Sequence, residues 1–417
     1  MSYAALSLIF LAAAITLGFV KKINVGIASM GLAFVLGLIG NVSTKVILGG
    51  FPSKLFITLL GTMFFFCLLQ ENRTLELLSK KMVAKVGGKT FLIPIIIYLV
   101  SYILSAAGPG AISVQSVMVI FAVSLASEMN ASPLLLGCMA VLGAVGGTAS
   151  PIALTGIIVS DLTAGMNLPG AAEKVFYGVT AANVVCAIVM YIVFKGYKLK
   201  ADLTVGTQEL PKFTRGQLLC VAALLVLVVT VVGFRYDVGL VSFALSLALL
   251  LCGVVNEKAA LKLVPWSVLL LICGVNVLMA VAKHLKGIEL LSSLLASMMN
   301  ESTASAIMGL TGGIMSWFSS ANGVVFPTLI PAVPSIAAQV GGSVSPLEMI
   351  MAIVGSACVA GISPLSTGGS LIFASYAREA KNDSDVQAVF AKLFLTSFGA
   401  VLIIVILAFI GVLGLFC

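Results

Sequence analysis

The stretch Gly147-Thr148-Ala149-Ser150-Pro151, closed by Gly156, returns 213 residues later as Ser363-Pro364, closed by Gly369. Both copies sit inside long apolar runs. Proline removes a backbone donor and clashes with the preceding turn, so a helix running into either copy must break there. Working outward at the same offset, Ser132-Pro133-Leu134 meets Ser345-Pro346-Leu347 and Gly110 meets Gly323. Glu76-Leu77-Leu78-Ser79 meets Glu289-Leu290-Leu291-Ser292, Gly61 meets Gly274, Pro52 meets Pro265, and Val25-Gly26 meets Val238-Gly239. The register holds without a gap from about residue 25 to 156. Apolar helices match by chance in Leu and Val, but not in Pro, Glu and Gly at one constant spacing. The chain is an internal duplication.

The 417 residues are 60% hydrophobic and 9% charged, with a mean hydropathy of +1.20. A soluble chain carries about 25% charged residues. Spans are expected at 3–20, 24–40, 54–70, 133–160, 174–195, 216–233, 238–254, 264–284, 346–376 and 388–415. The fold class is therefore an all-α polytopic membrane protein. The first segment, Tyr3 to Val20, lacks the basic start and small-residue cleavage site of a signal peptide and reads as a retained span. The eight cysteines show no metal spacing, and most, such as Cys67, Cys138, Cys186 and Cys273, sit in apolar runs and read as buried free thiols. His284 sits beside Lys283 and Lys286 at a helix end, a solvated position. The net charge of +8 reads as loop asymmetry, with no nucleic-acid partner implied.

Two further apolar stretches, 91–128 and 303–340, are broken by Gly108-Pro109-Gly110 and by Ser319-Ser320-Ala321-Asn322-Gly323. Read as re-entrant hairpins, they leave five crossings per half, and an odd number inverts the second half. Residues 1–195 then form the first repeat: scaffold helices 1–70, hairpin 91–128, broken helix 133–160 and helix 174–195. Residues 196–215 form a polar cytoplasmic linker. The second repeat is 216–417, with hairpin 303–340, broken helix 346–376 and helix 388–415. On this model six basic residues (Lys45, Lys54, Lys174, Arg235, Lys283, Lys286) lie on one side and the other 17 of the 23 on the opposite side. The positive-inside rule makes the rich side cytoplasmic. Both termini fall outside a cell (inner) membrane. Segments 74–88 and 286–300 precede the hairpins. The first, with Leu75, Leu78, Met82 and Val83 among lysines, reads as an interfacial helix.

No span carries a midplane acid, and no Ser has a His to act as its base, so neither a carboxylate proton relay nor a hydrolase is expected. Chemistry falls instead on the four breaks. Broken backbone at membrane depth survives only in a polar cavity or buried in protein. Each new helix N-terminus offers free N–H donors and a partial positive charge, which can hold an anion without Lys or Arg. The substrate-binding candidates are Gly108, Pro109, Gly110, Ser320, Asn322, Gly323, Ser366 and Thr367. Candidates for ion coordination are Thr148, Ser150, Ser319, Asn322, Ser363 and Thr367, through hydroxyl and carbonyl oxygens. No cofactor is implied beyond Na⁺ as a coupling ion. Asn183 and Asn276, inside other spans, read as links between helices.

At these breaks the sequence resembles the ion transporter superfamily, in particular its divalent anion/Na⁺ symporters. The run Leu6 to Gly40 also resembles the dicarboxylate carrier MatC family of malonate-type carriers. The resemblance implies inverted repeats, a dimerising scaffold, a moving domain built from hairpins and unwound helices, and elevator-type transport. Symporter tips carry Ser-Asn-Thr. Here the second tip, Ser320-Ala321-Asn322-Gly323, keeps the Asn but not the Thr, and Gly108-Pro109-Gly110 keeps none of the three. The unwound loops map to Thr148-Ala149-Ser150-Pro151 and Ser363-Pro364-Leu365-Ser366-Thr367.

The expected function is secondary active transport of small carboxylates, of the malonate or succinate type, coupled to Na⁺ or H⁺. The expected partners are a small anionic substrate, the bilayer and a second copy of the chain. The rival readings are an antiporter or exporter of another anion or cation, and a channel-like pore.

Overall fold

In hydrocarbon a backbone must satisfy its own N–H and C=O groups, so uncharged runs of Leu, Ile, Val, Phe and Ala become helices. The computed structural model describes residues 2–21, 23–84, 90–129, 131–199, 211–234, 236–341, 344–379 and 383–417. Among these there is no strand. The first half holds α1 (Tyr3–Lys21), α2 (Val25–Ile39), α3 (Thr44–Gly49), α4 (Ser53–Glu71), α5 (Thr74–Ala84), α6 (Ile93–Ala106), α7 (Gly110–Glu128), α8 (Pro133–Gly147), α9 (Leu154–Thr163) and α10 (Ala171–Val193). The second half begins with α11 (Arg215–Val228), α12 (Val238–Leu251), α13 (Glu257–Leu263), α14 (Trp266–His284), α15 (Gly287–Ala296) and α16 (Ala304–Phe318). It continues with α17 (Phe326–Leu329), α18 (Val333–Val340), α19 (Pro346–Val359), α20 (Thr367–Glu379) and α21 (Asp383–Phe409). Seven helical runs among the described residues are long and apolar enough to cross a membrane. The chain is a multi-pass membrane protein. Residues 200–210 of the expected linker, and 85–88 of the expected interfacial helix, lie outside the described residues.

The 213-residue register reappears in the element bounds. Helices α2 and α12 start at 25 and 238, α4 and α14 at 53 and 266, α8 and α19 at 133 and 346, and α9 and α20 at 154 and 367. Local backbone repeats as well. Asn24 and Asp237 each cap the helix that follows, accepting from Gly26 N–H at 2.9 Å and Leu240 N–H at 3.0 Å. Arg73 and Lys286 both take left-handed backbone, at φ 59° and 61°. The short helices α3 and α13 were not expected. At six and seven residues they are too brief to show a helical period.

Packing exchanges partners between the halves. Helix α2 packs on α14, and α12 packs on α4. Glycines line both crossings. A Cβ at Gly26 would lie 2.1 Å from the Leu270 carbonyl, and one at Gly274 2.1 Å from the Gly26 carbonyl. At the other crossing, a Cβ at Gly61 would lie 2.4 Å from the Gly239 carbonyl. Close backbone approach through glycine is how helices gain dispersion contact where lipid offers no hydrophobic drive.

Helices α8 and α19 form the centre. Every residue of α8 from Leu134 to Gly147 is buried. Helices α6 and α10 flank α8, while α16 and α21 flank α19. Ser105 donates to the Ala144 carbonyl at 2.6 Å, and Ser316 donates to the Ala357 carbonyl at 2.8 Å, tying each hairpin's first arm to its broken helix. Asn183 links helices as expected, accepting from the Tyr98 hydroxyl at 2.8 Å. Asn276 does not. Its amide donates instead to the Ile272 carbonyl at 2.9 Å, one turn back on its own helix.

Candidate functional site

The rise of 1.5 Å per residue makes α8, with 15 residues, about 22 Å long and α9, with 10, about 15 Å long. Neither alone crosses the roughly 30 Å hydrocarbon core. Together, with the gap Thr148 to Ala153 between them, they are long enough to cross, as are α19 and α20 with theirs. The chain doubles back tightly at the first break. Gly156 N–H donates to the Thr148 carbonyl at 3.1 Å. A Cβ at Gly156 would lie 2.0 Å from the Ser150 carbonyl, and one at Gly369 2.1 Å from the Ile362 carbonyl. Both repeats thus need glycine here for close approach.

The first hairpin turns at Gly108 and Gly110, with φ of +136° and +72°. L-residues avoid this backbone, so the tip is glycine for conformational reasons. It is seated on the first break. A Cβ at Gly110 would stand 3.0 Å from Leu154 Cβ and 3.3 Å from Thr148 Oγ1. The N-terminus of α7 therefore opens beside that of α9. The first-turn N–H groups of both helices lack intrahelical acceptors, so two positive helix ends meet at one point.

The second tip reaches the same place from the other half. Ser320 Oγ accepts from Gly323 N–H at 3.2 Å and shapes a π-turn over Ala321–Val325. This presents Asn322, whose Oδ1 accepts from the Thr155 hydroxyl at 2.8 Å. Thr155 Oγ1 lies 3.4 Å from Thr148 Oγ1, and the Cys358 thiol lies against the same threonine. Thr148 and Thr155 are 2% and 0% exposed, so this is a buried, uncharged oxygen cluster. With its Oδ1 engaged, Asn322 still carries two N–H donors. The cluster can present N–H groups to an anion, or hydroxyl and carbonyl oxygens to a small cation.

The mirror position is bare. At the same offset Thr148 corresponds to Gly361, Thr155 to Gly368 and Asn322 to Pro109. Gly361 and Gly368 pack instead toward Val145 and Val141 of α8. The polar side chains that meet across the halves thus do so at the junction of the second tip with the first broken helix and not at its mirror position.

Of the sequence candidates, Gly110, Thr148 and Asn322 come together here. Gly108 and Pro109 complete the adjacent turn, and Gly323 is engaged by Ser320. Ser319 donates to the Met315 carbonyl of its own helix at 2.6 Å. The Ser366 hydroxyl bonds the Gly361 and Ser363 carbonyls, and Ser363 Oγ accepts from Leu365 N–H at 3.3 Å, so both stabilise their own loop. Ser150 is buried at the first break, and Thr367 is exposed at the start of α20. Sequence reasoning missed Thr155, which follows the break by one helical turn and reads as ordinary helix. Its signal was present, since Gly368 stands at its repeat position. It also missed Gln115 and Thr328, each 3% exposed on the hairpins' second arms and 213 residues apart. Trp317 Nε1 donates to Ser397 Oγ at 2.9 Å, and Ser397 donates to the Ala360 carbonyl at 3.1 Å, bracing the second break.

The family model described as the dicarboxylate carrier protein MatC N-terminus matches residues 1–148. Over that region the chain is similar to dicarboxylate carriers of the MatC type. The match runs from α1 through the first hairpin and α8, well beyond Leu6 to Gly40. Among solved structures, the YdaH transporter of Alcanivorax borkumensis, described as having an unusual topology, superposes with a TM-score of 0.61 at 14% identity. The superposition covers 88% of this chain and 87% of that one, which shows a shared fold. No curated protein matches the chain.

Proposed function

We propose that this chain is a secondary active transporter of small carboxylates, with dicarboxylates of the malonate or succinate kind as its cargo. The observation that carries the proposal is the meeting of Asn322 with Thr155, Thr148 and the glycine tip of the first hairpin. Helix N-termini and an amide supply the donors a carboxylate needs, and the site has no fixed cation to hold it too tightly for release. The match of residues 1–148 to a dicarboxylate carrier model supports the substrate class.

The repeat is read as inverted, with five crossings and one hairpin per half. The exchanged packing of α2 on α14 and α12 on α4 supports a twofold relation between the halves. The glycine-lined crossings group α2, α4, α12 and α14 as a scaffold, on which the chain is read as a homodimer. The hairpins and broken helices form the element that moves, elevator fashion. Na⁺ or H⁺ is the driving ion. A cell (inner) membrane with both termini outside completes the reading.

Purified protein in proteoliposomes should take up labelled malonate or succinate when a Na⁺ or H⁺ gradient is imposed. Absence of uptake of any short carboxylate under both gradients contradicts the substrate class.

A further inference from the structure

A second polar feature lies apart from this cluster. A cavity of about 730 Å³ opens between the end of α4, the turn at Arg73, helix α13 and one flank of α7. Three cations line it: Arg73, Lys258 and Lys262. Two carboxylates face the same space, one offset by a lysine and the other still charged, so the lining stays net positive. Glu76 pairs with Lys80 at 2.7 Å, and Glu71 Oε2 accepts from Asn256 N–H at 3.3 Å. Among the described residues none of the three cations makes an ion pair. Val117 of α7 forms the inner wall, seven residues beyond Gly110, or about 10 Å of helix from the first hairpin tip.

The repeat argues that these cations are not incidental. Arg73 corresponds to Lys286, also held in left-handed backbone. Lys258 corresponds to Lys45 on α3, the helix that packs on α14 as α13 packs on α4. A cation at the turn after the span and a lysine on the short helix before it thus occur in both halves. A site for one leaflet's lipid headgroups has no need of both. A route for an anion through the protein has use for one at each face.

We propose that Arg73, Lys258 and Lys262 form an anion-collecting mouth, a weak electrostatic site that concentrates small organic di-anions at this face before they reach the broken helices. The inference rests on the carboxylate-transport reading for its ligand, but its field can be measured without transport. Like charges at a low-dielectric rim raise the local anion concentration, and salt suppresses the effect.

The test uses Val117→Cys in a chain whose exposed Cys252 and Cys417 are changed to Ser, reconstituted in neutral lipid. Its modification rates by an anionic and by a neutral methanethiosulfonate reagent are compared. Adding Arg73→Gln, Lys258→Gln and Lys262→Gln should lower the anionic-to-neutral ratio at least about threefold at low salt, as expected for three unit charges roughly 10 Å away in water. The difference should vanish near 1 M salt, where the screening length is about 3 Å. An unchanged neutral rate shows that the variant is folded. In uptake assays the same changes should raise KM for a di-anion more than for a mono-anion and leave kcat unaltered. An unchanged modification ratio overturns the proposal even if transport is observed. A ratio that shifts only when anionic lipid is present also overturns it, and assigns the cavity to phosphate headgroups.

Discussion

Thr155→Val is the sharpest perturbation of the site. Valine keeps the shape and removes one hydroxyl. That hydroxyl donates to Asn322 Oδ1 at 2.8 Å and lies 3.4 Å from Thr148 Oγ1. Its loss leaves the Asn322 carbonyl oxygen without a partner and frees the amide to rotate. Leaving a buried polar group unsatisfied costs about 1–3 kcal/mol. If Asn322 must be aimed to hold a carboxylate, that cost appears in affinity as about 5- to 150-fold, at about 1.4 kcal/mol per decade. The assay is equilibrium binding of labelled malonate or succinate to purified protein, with uptake KM alongside. Thr62→Val is the control, because the Thr62 hydroxyl donates only to carbonyls of its own helix, Thr58 and Leu59, at 3.0 Å each. The control should keep affinity within about twofold, since back-bonded hydroxyls add little. A folded Thr155→Val protein that binds as tightly as the control refutes the assignment of this cluster.

Three further outcomes follow from the same geometry. Gly156→Ala places a Cβ 2.0 Å from the Ser150 carbonyl, so the break cannot close. Folded yield should collapse on size exclusion, whereas Gly165→Ala, with open space around it, should leave yield unchanged. Gly110→Ala forces a methyl into φ +72° backbone, costing about 1–2 kcal/mol. Uptake should fall while the thermal midpoint moves by only a few degrees, as expected for about 1 kcal/mol in a large chain. Trp317→Phe removes the 2.9 Å bond to Ser397, a net loss of about 0.5–1.5 kcal/mol, and should lower the thermal midpoint by a few degrees without changing substrate selectivity.

Much of the fold was legible because membrane folding leaves a strong trace. Uncharged runs must become helices, and Pro, Glu and Gly at one spacing can only report duplication. The repeat located the breaks at Ser150-Pro151 and Ser363-Pro364, and the helix ends α8, α9, α19 and α20 fall around them. Legibility stopped where the signal became one residue long. Thr155 sits on a helix that reads as apolar, and only the hydrogen bond it donates to Asn322 of the opposite half gives it a role. Conversely, Ser319 and Ser366 looked polar and available, yet their hydroxyls are taken by nearby carbonyls. Sequence shows which groups are present, whereas hydrogen-bond satisfaction decides which remain for a ligand. The same limit explains Asn276, whose partner is a local carbonyl rather than a neighbouring helix.

The halves are equal in frame and unequal in chemistry. Asn322, Thr148 and Thr155 face Pro109, Gly361 and Gly368 across the repeat. On the proposed reading, substrate recognition by side chains falls to the second tip on the first broken helix, with backbone donors supplying the other side.

The most direct test of that claim is an experimental density map of the protein in lipid with malonate or succinate bound. The account predicts ligand density within hydrogen-bond distance of the Asn322 side chain, between the N-termini of α7 and α9. Ligand density seated at Gly361 and Gly368, or anywhere away from the two breaks, would contradict it.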